Sequence, residues 1–142
     1  MSEFSIISSD FSEGDEIPKK FGYKFENNEP KLDFKNIPEN TQSIGLIMDD
    51  PDAMAAVGKV WVHWLQYFDH PSQNLIIEGK TDFGEVGYGG PAPPNGRHTY
   101  IFKGYALDAE LDLKEGYSKQ ELEDAMKNHI IAEAKLTGTF AP

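Results

Sequence analysis

The sequence predicts one mostly β domain, and three observations carry the prediction. Prolines and glycines recur in short clusters from end to end, with short runs of β-branched and aromatic residues between them. Two of those runs, Val60 to Phe68 and His98 to Leu107, are long and apolar on both faces, as strands covered on both sides are. A clear helical pattern occurs once, near the C-terminal end.

The candidate strands, in chain order, are Phe4 to Ile7, Phe21 to Phe25, Ser43 to Met48, Val60 to Phe68, Leu75 to Ile77 and His98 to Leu107. In Val60 to Phe68 the two-residue period places Trp61, His63, Leu65 and Tyr67 on one face, and Val62, Trp64 and Gln66 on the other. In His98 to Leu107 it places His98, Tyr100, Phe102 and Ala106 opposite Ile101, Tyr105 and Leu107. Both read as central strands of a sandwich or of a sheet with a helix laid across it. The helix opens at Ser118, which with Glu121 makes the S-x-x-E capping box. Leu122, Met126 and Ile130 then recur at a spacing of four. Its end is expected near Gly138, with Thr139 and Phe140 starting a last extended piece.

At 142 residues the chain fits a single domain, 1–142, able to bury roughly two thirds of the surface its unfolded form exposes. A content of 39% hydrophobic and 12% aromatic residues separates it from disordered chains, which lack the side chains that offset ordering entropy. Cysteine is absent, which excludes disulfides and thiolate metal sites and fits a cytoplasmic setting. Met1-Ser2-Glu3-Phe4 does not open a basic and then apolar leader, and no apolar run approaches the roughly 18 residues of a membrane span. An intracellular, soluble protein without integral membrane association is expected. Thirteen basic against 24 acidic residues give a net charge of −11, which repels nucleic-acid backbones. A phosphate group would therefore need an enclosed, specific set of donors.

Three constellations bear chemistry. Asp49-Asp50-Pro51-Asp52-Ala53 gathers carboxylates where a strand ends, although Asp and Pro also simply build turns. His63 sits among Trp and Val, where an imidazole needs a partner to offset its desolvation, and His98 with Tyr100 opens a second strand. Two imidazoles and a phenol can thus converge, though a lone histidine in such a strand is more often a satisfied core residue. The run Gly87 to His98 is dense in glycine and proline; Pro91, Pro93 and Pro94 prevent its glycines from opening a dinucleotide-binding helix. It is either a rigid hairpin connection or the wall of a site. His70 reads as a loop residue, His129 as packing on the helix, and Arg97 as a solvated side chain beside His98. No H-E-x-x-H, H-x-H or G-x-S-x-G motif is present, so zincin and hydrolase-elbow chemistry is not indicated. A metal on His63, His98 and Asp50 is geometrically possible, but no metal or cofactor is expected.

In order along the chain stand Asp50-Pro51-Asp52-Ala53, Val62-His63-Trp64, Gly87 to Gly96, and His98-Thr99-Tyr100-Ile101-Phe102. Tyr105-Ala106-Leu107-Asp108, the helix segment His129 to Leu136 and Thr137-Gly138-Thr139-Phe140 follow. This ordered set resembles the phosphatidylethanolamine-binding protein family, the prokaryotic Raf-kinase-inhibitor-like branch most closely. The resemblance implies a large central antiparallel sheet, a second small sheet and one or two peripheral helices. It implies a small cavity for phosphate-like anions, lined here by Asp50, Asp52, His63, Gly90, Pro91, His98 and Tyr100. Three departures stand out: Met54 occupies the place of the usual proline after D-P-D-A, only Asn27-Asn28-Glu29-Pro30 stands for an asparagine-serine-proline block, and the additional C-terminal helix of eukaryotic members is missing.

The expected function is non-catalytic binding of a small anion, such as phosphate or a phosphorylated headgroup. His63, His98, the Tyr100 hydroxyl and backbone N–H groups near Gly90 would donate, and the aspartates would orient the rings and raise their pKa above about 6.5. An inhibitor of a kinase or serine protease is the alternative, and a metal-dependent phosphohydrolase the least favoured class. A homodimer is a further expectation from the branch.

Overall fold

The computed structural model describes residues 3–142, so Met1 and Ser2, which belong to the stretch expected not to open a leader, lie outside the described residues. Strands β1 (Ser5–Ser8) and β2 (Leu32–Lys35) pair as a two-stranded antiparallel sheet. Strands β3 (Ser43–Asp50), β4 (Trp61–Phe68), β5 (Ile76–Glu78), β6 (His98–Leu107) and β7 (Ile130–Phe140) form a five-stranded antiparallel sheet in the order β5-β4-β3-β6-β7. Two short helices complete the fold, α1 (Ala53–Val57) and α2 (Lys119–Met126).

The five-stranded sheet is covered on both faces, as its doubly apolar central strands require. On one face Ile44, Leu46, Met48, Trp64, Tyr100 and Phe102 pack against Ile6, Phe11, Ile17 and Phe34 from the N-terminal segments. On the other, Ile47, Val62, Leu65, Tyr67 and Leu107 pack against Tyr117, Leu122 and Met126. Helix α2 lies close because β3 carries Gly45 beneath it: a Cβ there would stand 2.8 Å from the Met126 sulfur. Ser118 caps α2 as its sequence predicts, accepting from the Glu121 N–H while Glu121 Oε1 accepts from the Ser118 N–H.

The structure corrects two elements. The helix ends at Met126, not near Gly138, and Ile130–Phe140 is the edge strand β7, paired with β6 along its length. Asn128, at φ 69°, turns the chain between the two. The spacing of four from Leu122 to Ile130 concealed a two-residue period beyond it, in which Ala134, Leu136 and Phe140 are buried while Glu133 and Lys135 are exposed. Phe21 to Phe25 is not a strand. A 3₁₀ turn at Lys19–Phe21 continues into tight turns, with the Phe25 and Asn27 amides both donating to the Gly22 carbonyl. Strand β2, unread in the sequence, shows the alternation expected of an edge, with Phe34 buried and Asp33 and Lys35 exposed.

The β3–β4 pairing also breaks the assigned faces of β4. Met48 pairs with Trp64 and the next residue, Asp49, pairs with Val62, so His63 is an extra residue in the ladder. A bulge of this kind re-aims the side chains beyond it. Leu65 and Tyr67 face α2, as does Val62. His63 is turned instead toward Tyr100, on the face of the first core.

Candidate anion-binding cavity

Where β3, β4 and β6 end together, a cavity of about 190 Å³ is lined by Asp50, Ala53, Ala56, Val57, Trp61, His63, Phe83, Ala92, Pro94 and His98. The bulge brings His63 to it and the strand start brings His98. Both rings are almost fully buried, and so is Asp50. Apolar walls thus enclose a floor of two imidazoles and one carboxylate.

Each imidazole is anchored through Nδ1. His63 Nδ1 lies 2.6 Å from the Gly89 carbonyl oxygen, and the Gly89 N–H donates back to the His63 carbonyl at 2.8 Å. A carbonyl only accepts, so Nδ1 of His63 carries the hydrogen. His98 Nδ1 lies 2.7 Å from Asp50 Oδ2, and Asp50 Oδ1 accepts from the Asp52 N–H at 2.9 Å. In both rings Nε2 is the nitrogen left for an occupant.

Burial sets the charge of His63. Desolvation holds its pKa below the ordinary imidazole value, and the opposing pull of the Gly89 carbonyl and of Asp50 does not overcome it. The expectation that neighbouring aspartates raise the histidine values fails for this ring, because desolvation by burial outweighs them. An unfolded chain therefore takes up this proton first, near pH 6.5, while the folded chain resists it. Stability is full above that value and falls as the pH drops toward the folded pKa. Urea unfolding between about pH 7 and pH 5 is expected to show this loss, and His63→Asn to flatten it.

The remaining expected site residues do not line the cavity. Tyr100 lies behind the two histidines, 5.1 Å from the His63 ring centre and 6.4 Å from that of His98. Its buried hydroxyl lacks a well-aligned partner, and burial, then the Asp50 charge, raise its pKa. Asp52 is not among the lining residues and accepts the Thr99 N–H at 2.8 Å. The Gly90 N–H, expected as an anion donor, is instead held by Asn27 Oδ1 at 2.8 Å, and the Pro91 carbonyl accepts from the Tyr23 N–H at 3.0 Å. Gly90 and Pro91 therefore lock the wall to the Lys19–Asn28 segment. Arg97 pairs with Glu16 at 2.8 Å on the surface, and His129 with Asp108 at 2.9 Å. Among the described residues no cluster of three or more His, Asp or Glu side chains could hold a metal ion.

A larger open recess of about 560 Å³ lies between Lys59, Lys80 and the start of α2. Of its lysines, Lys59 is neutralised by Asp82 and Lys119 by Asp49. It has no buried donor set comparable to the two imidazoles.

Residues 7–141 match the family model described as phosphatidylethanolamine-binding protein. The chain belongs to the phosphatidylethanolamine-binding protein family. It is 39% identical over 145 residues to a UPF0098 protein of Chlamydia muridarum, covering 95% of this chain and 97% of that one. A UPF0098 protein of Methanothermobacter thermautotrophicus is 37% identical, with 92% and 93% covered. Among solved structures, a chain described as a phosphatidylethanolamine-binding protein homologue of Chlamydia trachomatis superposes with a TM-score of 0.89 at 35% identity, covering 100% of this chain and 99% of that chain. Escherichia coli YbcL, described as a member of the mammalian family, gives 0.88 at 24% identity, with 99% of each chain covered, and shows the shared fold. The fold expected from the resemblance is thus the fold found. Among the described residues no helix is long and apolar enough to cross a membrane.

Within this family fold, sequence reasoning missed part of the cavity. Trp61 lines it, and its indole N–H is buried without a partner. Phe83 packs edge-on to both Trp61 and His63, with ring centres at 5.6 and 5.4 Å, and stacks on Tyr23 at 3.9 Å. Asp82 sets its loop in place by accepting the Val62 N–H at 2.7 Å. Trp61 carried a usable signal, two positions from His63 on one strand; Phe83 carried none, because its loop reaches the site only through tertiary contacts.

Proposed function

We propose that this member of the family is a non-catalytic binding protein whose cavity takes a small phosphate-like anion. The observation that carries the reading is the pair of buried imidazoles opening on one cavity, each fixed through Nδ1 so that only Nε2 meets the occupant. Nε2 of His98 donates once its ring is protonated, with the Asp50 carboxylate holding the ring in place. Apolar surroundings strengthen each such bond and exclude competing water. No hydroxyl or thiol nucleophile with a base and oxyanion donors accompanies the rings, which favours binding over turnover.

Titration calorimetry with inorganic phosphate near pH 6 tests the reading. Saturable binding at one site is expected, and His98→Ala is expected to weaken it at least about tenfold, the size of one hydrogen bond to a charged group. Unchanged affinity in a folded His98→Ala protein would move the anion elsewhere.

A further inference from the structure

We infer that Asn95 is a site of spontaneous deamidation in the folded protein, converted together with Gly96 through a cyclic imide to aspartate and isoaspartate. The chain has seven asparagines, and Asn95 alone is followed by glycine. An asparagine side chain is lost in this way when the main-chain nitrogen of the next residue attacks its Cγ. That nitrogen must be free to give up its hydrogen and to move, and nothing may crowd its approach.

Asn95 meets both conditions. The stretch from Pro94 to Arg97 is exposed, and among the described residues neither the Gly96 N–H nor the Asn95 amide has a hydrogen-bond partner. Gly96 has φ 68° and no side chain, and a Cβ built on it would meet nothing within 4 Å, so the loop has room for the ring. The other six asparagines lack this combination. After Asn27, Asn40 and Asn128 the attacking amide is already engaged: the Asn28 N–H donates to the Lys20 carbonyl at 2.9 Å, that of Thr41 to Pro38 at 3.1 Å and that of His129 to Met126 at 2.9 Å. Asn28, Asn36 and Asn74 precede Glu29, Ile37 and Leu75, whose side chains crowd the attack. Asn36 is held further, its Nδ2 donating to the Glu3 carbonyl at 3.0 Å.

The bonds balance with water as the only co-reactant. Gly96 N, its hydrogen removed by hydroxide, bonds to Asn95 Cγ; the Cγ–Nδ2 bond breaks and ammonia leaves. Water then opens the imide at either carbonyl. Cleaving the new N–Cγ bond gives an ordinary aspartate. Cleaving the original peptide bond gives isoaspartate, whose main chain runs through Cβ and Cγ and is one methylene longer. Either product adds a negative charge between Pro94, which lines the cavity, and the start of β6 at His98.

The test incubates the folded protein, and the same protein in guanidinium chloride, at body temperature over a series of neutral to mildly alkaline buffers, with peptide mapping by mass spectrometry. The peptide that holds Asn95 is expected to gain about one dalton, for an amino group replaced by a hydroxyl, and its isoaspartyl share to be labelled by a protein isoaspartate methyltransferase. Because the attacking species is the amide anion, the rate is expected to rise in proportion to hydroxide. The folded rate at Asn95 is expected to lie within about tenfold of the unfolded rate, since no hydrogen bond has to open first, while Asn128 stays unchanged in the folded protein. Asn95→Gln keeps the amide but lengthens the side chain, which disfavours the ring, and is expected to abolish the gain. A folded rate at Asn95 more than about tenfold below the unfolded one would overturn the inference. So would a gain that falls on the Asn27 or Asn128 peptide instead, or one that persists in Asn95→Gln.

Discussion

Alanine at position 90 is expected to destabilise the protein by roughly 3 kcal/mol or more and to lower its melting temperature by about 10 °C. A Cβ built on Gly90 stands 1.9 Å from the Phe21 carbonyl oxygen, with Asn27 Oδ1 and the Gly22 carbonyl carbon each at 3.0 Å. Two of these three obstacles are backbone, so no rotamer change relieves them. The approach is close because the two segments are bonded across it. Gly90 N–H donates to Asn27 Oδ1 at 2.8 Å, Asn27 Nδ2 to the Tyr88 carbonyl at 3.3 Å, and the Tyr88 hydroxyl to the Phe21 carbonyl at 2.8 Å. Separating the segments to admit a methyl group would break that set and displace Gly89, the anchor of His63. Thermal unfolding followed by circular dichroism measures the first effect. A melting temperature within about 2 °C of the unaltered protein would show that the loop accommodates the methyl group.

Asp50→Ala is expected to reduce phosphate affinity by about tenfold to hundredfold, the range for losing a hydrogen bond to a charged group. Asp50 is 3% exposed and holds His98 Nδ1 with one oxygen and the Asp52 N–H with the other. Without it the His98 ring is free to change tautomer and orientation, and the turn into α1 loses its bond at Asp52. Because Asp50 acts through His98, the two substitutions should not add. The Asp50→Ala/His98→Ala protein is expected to bind phosphate about as weakly as His98→Ala alone, measured as a double-mutant cycle. Independent, additive losses would mean that Asp50 contributes to the cavity without His98.

How much of this was legible can be judged residue by residue. The strand His98–Leu107 was bounded correctly and its faces assigned correctly, because its alternation is uninterrupted and its partners β3 and β7 keep step with it until its last residue. The capping box of α2 was legible because a helix N-terminus is satisfied by residues three apart in the chain. The C-terminal strand was not. Ile130 continued the spacing of the preceding apolar residues, and only its pairing with β6 determines that the segment is extended.

The site divides in the same way. Its chemical kinds, two histidines and a carboxylate near strand ends, stood in the sequence, as did the family pattern they belong to. The face His63 takes did not, since period-two reasoning places it with Leu65 and Tyr67 and a bulge against β3 turns it to the other side. Nor did its neutral state, which follows from burial outweighing the nearby acids. Gly90 and Pro91 could be seen to be conformationally special, but whether they touch a ligand or brace the wall depended on Asn27 and Phe21, more than sixty residues earlier in the chain. Local periodicity and capping are properties of neighbours along the chain, so the amino-acid order by itself determined the long central strands, the helix start and the kinds of group available. Facing, charge and contact depend on which distant segments pack together, and those were decided only when the sheet closed over its core.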